Sequence, residues 1–112
     1  MYKIDSENNI TIVRGDYLSL TLELIDEEGH KYTPQASDKI RFAVAEEWGQ
    51  TRKTECIIYK DINVETCEIE LLPADTKKME FGTYKYDIEF TDGFGHPDTI
   101  IKGKFIVDTE VY

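Results

Sequence analysis

Apolar and polar residues alternate along most of this chain, and apolar positions nowhere recur at helical spacing for more than about a turn. Side chains on a strand point to opposite faces in turn, so each alternating run reads as a strand with one buried face. Ile10–Val13 is a first short run, closed by Gly15-Asp16. Over residues 17–25, Leu18, Leu20, Leu22 and Leu24 face one way while Ser19, Thr21 and Glu23 face the other. Asp26-Glu27-Glu28-Gly29-His30 turns the chain, and a polar loop with Pro34 leads to Lys39–Ala45, whose inward set is Ile40, Phe42 and Val44. Residues 54–59 and 66–72 flank Asp61-Ile62-Asn63 and read as a hairpin with Cys56, Ile58, Cys67, Ile69 and Leu71 on its apolar face. Two more runs follow. Residues 83–90 point Tyr84, Tyr86, Ile88 and Phe90 inward, and after the turn Asp92-Gly93-Phe94-Gly95, residues 99–107 point Ile101, Phe105 and Val107 inward. Pro73 sits at a first-turn position before helix-tolerant residues, which predicts one short helical turn that Gly82 stops.

Seven short strands with turn signals between them predict an all-β fold, a sandwich of about seven antiparallel strands with one short helical turn. With 112 residues, the expectation is a single domain spanning 1–112. Hydrophobic residues at 40% and charged residues at 32% exclude a disordered chain, and no apolar run approaches the ~20 residues of a membrane helix. A net charge of -10 repels a phosphate backbone, which sets nucleic acid aside as a partner, and no membrane partner is expected either. The first residues carry neither an apolar stretch nor a small-residue cleavage site, so the reading is no signal peptide and synthesis in a cytosol. Cys56 and Cys67 fit neither a redox pair nor a zinc-ligand set and are expected as reduced core thiols.

The stretch from Leu72 to Ile88 is the most informative. Its order of Leu72-Pro73, Asp75-Thr76, Gly82, Tyr84 and Tyr86 resembles the corner of immunoglobulin-like domains, where a tyrosine bonds back across the turn; Tyr84 is the candidate, with Asp75 and Gly82 as its structural companions. Tyr86 and Leu20 or Leu22 stand where the inter-sheet disulfide of such domains would be, so packing must replace it. Together with Ile10, Arg14-Gly15-Asp16, Leu20 and Leu22, these positions are similar to a family of small immunoglobulin-like domains encoded in phages and prophages of Gram-positive bacteria. Some of these resemble the N-terminal domain of baseplate upper proteins. The resemblance spans roughly residues 10–107. It implies a virion structural protein made in the bacterial cytoplasm and then built into the particle, with other virion proteins or further copies of itself as partners. The sequence closes at Tyr112 without the receptor-binding extension of the baseplate protein.

No nucleophile–base pair or phosphate-binding loop can be drawn, so the reading is non-enzymatic, with no cofactor and no metal. His30 and His96 fall in loops at one end near Asp26, Glu27, Glu28, Asp92 and Asp98, but they lack zinc or calcium spacing and read as solvated. Arg14-Gly15-Asp16 reads as a turn, and Asp75 and Thr76 as helix-cap residues. Glu23, Glu68 and Glu70 are expected side by side on one outer face, a repulsion that a partner or cation would offset, and Lys39, Arg41, Lys85, Lys102 and Lys104, mixed with Asp87 and Glu89, on the other. Candidate partner contacts are Ile57, Tyr59, Ile100 and Ile106, pointing outward from edge strands, and the loop aromatics Phe94 and Trp48. Trp48 either anchors a partner or plugs the end of the core. The alternative function is a carbohydrate- or surface-binding accessory domain that stacks sugars on Trp48, Tyr32 and Phe94.

Overall fold

The computed structural model describes residues 2–4, 6–49 and 53–109. Half the chain is strand and 7% is helix, so the protein is all-β. The strands are β1 (Tyr2–Ile4), β2 (Ile10–Val13), β3 (Leu18–Thr21), β4 (Leu24–Ile25), β5 (Lys31–Tyr32), β6 (Lys39–Ala45), β7 (Ile58–Ile62), β8 (Glu68–Leu71), β9 (Gly82–Thr91) and β10 (Pro97–Asp108). A single helical turn, α1 (Pro73–Lys77), and a 3-10 turn at Lys53–Glu55 complete the described residues.

Six strands form one sheet in the order β1-β2-β10-β9-β6-β7, which curls into a half-barrel, while β3 pairs with β8 and β4 with β5. Inward residues of β3 and β8, namely Leu18, Ile69 and Leu71, join one buried cluster with Ile10, Ile12, Ile40, Phe42, Val44, Tyr86, Ile88, Phe105 and Val107 of the large sheet. The rings of Phe42 and Tyr86 lie 5.6 Å apart and those of Phe42 and Phe105 6.4 Å apart, within stacking range. The N-terminal segment is tied down by Tyr86, whose hydroxyl donates to the Asn8 carbonyl, and by Asn9 Oδ1, which accepts from the Lys104 N–H at 3.0 Å.

Several expectations need correction. Among the described residues ten strands replace seven: β1 and β5 were not expected, and the run at 17–25 breaks after Thr21, so that β3 pairs with β8 whereas Leu24 and Ile25 turn away to pair with β5. The expected hairpin of 54–59 with 66–72 does not form, since β7 pairs with β6 and β8 with β3. Between the two strands Val64 packs against the core, and Cys67 takes a left-handed φ of 53°. The strands are not all antiparallel, for β2 runs parallel to β10 with Ile10 opposite Phe105. Cys56 is outside the core. It is half-buried on the outer side, where burial pushes its thiol pKa up against the opposing effect of the nearby Arg41 charge. Cys67 is buried, and no disulfide joins the two.

The centre of β6 is covered on both faces. Ala43, Ala45 and Arg41 point away from the core yet are buried, Arg41 being 8% exposed. Its guanidinium is held by Asp87 at 2.9 Å and Glu89 at 3.5 Å, with the Tyr59 ring 5.7 Å away. At α1, Asp75 reaches back to accept from the Leu72 N–H at 2.7 Å, and the buried Thr76 hydroxyl accepts from the Gly15 N–H at 2.8 Å. Tyr84 donates to the Glu80 carbonyl at 2.8 Å, the back-bond expected of a corner tyrosine, and β9 begins at Gly82.

Candidate functional site

One end of the molecule is built from two turns of the same design. The β4–β5 turn reads Asp26-Glu27-Glu28-Gly29-His30 and the β9–β10 turn Asp92-Gly93-Phe94-Gly95-His96. In the first, Asp26 Oδ1 accepts from the N–H groups of Glu28 at 3.0 Å and His30 at 2.9 Å. In the second, Asp92 Oδ1 accepts from Phe94 at 2.9 Å and His96 at 3.0 Å. Each aspartate carbonyl also accepts from the glycine N–H, and Gly29 and Gly95 take φ values of 84° and 83° that favour glycine. The His96 N–H, then that of Phe94 and the nearby His96 ring, hold the Asp92 carboxyl below the ordinary carboxylate range. The sequence pattern Asp-x-x-Gly-His marks both turns, but only the matching hydrogen bonds reveal them as a pair.

Between the turns lies an open groove of about 360 Å³. Leu24, Ile25, Tyr32, Phe90 and Ile100 supply its apolar lining, and Asp26, Glu27, Asp92 and Asp98 its carboxylates. Tyr32 is fixed in place: its hydroxyl donates to Asp38 at 2.6 Å, which raises its pKa, and its ring meets Phe90 edge-on at 5.7 Å. Sequence reasoning placed the two histidines and their acidic neighbours at one end but did not find the apolar floor. Leu24 packs against the core and lines the groove as well, and Ile100 reaches the groove from the part of β10 that pairs with β9 alone.

The expected contact residues separate into different places. Phe94 stands at the tip of the β9–β10 turn and is 89% exposed, with the His96 ring 6.3 Å from its own. Tyr59 lies on β7, which is an edge strand of the large sheet, and is half-buried. Ile57 precedes β7, donates its N–H to Val44 and is 42% exposed beside Met79 and Tyr84 near α1. Ile106 is not at an edge, because the last residues of β10 run between β2 and β9, and it is half-buried; at Ile100, β10 pairs with β9 alone, and an irregularity between Thr99 and Ile101 turns Ile100 toward the groove. Trp48 does not plug the core. It is 44% exposed on the outer face, with the Lys102 and Lys85 ammonium groups 4.8 and 5.3 Å from its ring. Tyr32, Trp48 and Phe94 therefore form no common stacking platform.

Other candidates are absorbed into structure. Arg14 lies over the Phe81 ring at 4.2 Å, and Gly15 is held by Thr76, so Arg14-Gly15-Asp16 is a docked turn. The acidic outer face is relieved within the chain: Tyr17 donates to Glu70 at 2.6 Å and Ser19 to Glu68 at 2.8 Å, and each glutamate lies opposite Ser19 or Thr21 rather than another acid. Among the described residues, no three of His, Cys, Asp and Glu gather as metal ligands, and no helix is long and apolar enough to cross a membrane. Compared with protein-family models, curated proteins and solved structures, the chain matches none.

Proposed function

We propose that this chain is an immunoglobulin-like sandwich that acts as a non-enzymatic interaction module of a phage or prophage particle, in virion assembly or host attachment. The observation that carries the reading is Phe94. A large aromatic side chain left almost wholly in water costs solubility and adds nothing to the core, yet two backbone hydrogen bonds to Asp92 hold its turn in shape. A fixed, exposed aromatic is the kind of anchor that a partner's pocket accepts.

The topology supports the sandwich. In immunoglobulin-like domains a three-strand sheet of the third, sixth and seventh strands faces a sheet containing the second and fifth. Here β6, β9 and β10 lie side by side, β3 and β8 form the facing pair, and the Tyr84 bond to Glu80 spans the turn before β9. The phage assignment draws on the sequence resemblance alone. Its test is fractionation: an epitope-tagged copy expressed in its bacterial host during phage growth should band with assembled particles on a density gradient. Recovery only in the particle-free fraction would overturn it.

A further inference from the structure

We infer that the groove between the two matched turns is a docking site for a polypeptide segment that presents an aliphatic or aromatic side chain flanked by lysine or arginine. The inference rests on the reading of the chain as an interaction module, and not on its phage origin.

The groove asks for both features of such a segment. Leu24, Tyr32, Phe90 and Ile100 offer an apolar floor, and Ile25 at its lip is 65% exposed, so a small apolar side chain would bury surface already in water. Asp26, Glu27, Asp92 and Asp98 stand around that floor, and no lysine or arginine lines it. Lys31 and Lys39, opposite Ile25 and Thr91 in the ladders, are not among the lining residues. Four carboxylates beside one apolar floor favour a cationic segment and reject an acidic one, and the chain's net charge of -10 adds long-range attraction of the same sign.

The groove is also preformed. Asp26 and Asp92 each fix their turn through two backbone N–H groups, and Tyr32 is held by Asp38 and Phe90, so little ordering is left for binding to supply. Recognition by side chains suits this end better than addition of a strand. The β10 edge here begins with Pro97 and carries the irregularity between Thr99 and Ile101, two devices that obstruct strand pairing.

The test is fluorescence anisotropy of the purified full chain with a fluorescein-labelled peptide alternating lysine and isoleucine, at about 150 mM salt, where distant charges are screened. The same peptide with alanine for isoleucine should bind about tenfold or more weakly, and so should the original peptide to the Glu27→Lys/Asp98→Lys variant, whose substitutions are on exposed side chains. Equal binding of the two peptides, or unchanged binding to the variant, would reduce the effect to general charge attraction and overturn the inference. Failure of the peptide to bind, with self-association that the variant abolishes, would assign the groove to a second copy and equally overturn it. Because the readout needs only the isolated chain, its outcome is separate from the particle fractionation.

Discussion

At Gly103 a single added carbon would lie 2.4 Å from the Asn8 carbonyl oxygen and 2.8 Å from Tyr86 Cε1, so the N-terminal segment can cross β10 only where there is no side chain. Gly103→Ala must push away the same segment that Tyr86 and Asn9 tie down. We expect a loss of about 1–3 kcal/mol, read as a fall in melting temperature of several degrees. Asp92 gives a pH prediction at the same scale. Its folded pKa is depressed below the ordinary 3.8, chiefly by the His96 N–H. The contribution of its carboxylate to the turn is therefore fully present above 3.8 and lost as pH falls through the lower folded value. NMR titration should show the Phe94 and His96 amide resonances moving together in strong acid while those of the β6 centre hold. Movement of both sets at one pH would mean that Asp92 reports global unfolding and not its own turn.

Among the elements, α1 is short, and it is held by the Asp75 cap, by the ion pair of Asp75 with Lys60 of β7 at 2.9 Å, and by the hydroxyl of Thr76, which reaches across to the β2–β3 turn. Thr76 is wholly buried. Thr76→Val keeps the shape but leaves the Gly15 N–H without its acceptor, which should cost about 1–3 kcal/mol in denaturant unfolding; a neutral result would show that water replaces the hydroxyl. The elements also show what alternation can and cannot convey. Ile10–Val13 was legible to the residue, because burial of one face writes a period of two into the sequence; Lys39–Ala45 was legible from the alternation of Ile40, Phe42 and Val44, although the structure also buries Arg41, Ala43 and Ala45 on its other face. Partner choice was not legible. Nothing local distinguishes a β7 that pairs with β8 from one that pairs with β6, and the parallel contact of β2 with β10 joins opposite ends of the chain. The extra residue between Thr99 and Ile101 reversed the facing of Ile100, since one inserted residue shifts every side chain beyond it to the other side.

For the whole molecule, the buried core and the proposed contact surface occupy different regions. Phe42, Phe105, Tyr86 and their neighbours fill the space between the large sheet and the β3–β8 pair, while Phe94 and the groove sit at the end where β4–β5 and β9–β10 turn. The sequence marked Phe94 correctly as a loop-tip aromatic because Gly93 and Gly95 bracket it, but the groove beside it was hidden: its residues come from four strands and two turns that only folding brings together. A change at Phe94 should thus alter binding without altering the fold. Surface substitutions of this kind usually stay within about 0.5 kcal/mol. The most direct measurement is the fraction of tagged Phe94→Ala chain that bands with particles, compared with the unaltered chain at matched expression and with melting temperatures recorded for both. The account predicts near-equal melting temperatures and a severalfold smaller particle-bound fraction. Equal particle binding, or a fall in melting temperature of about 10 °C or more, would contradict it.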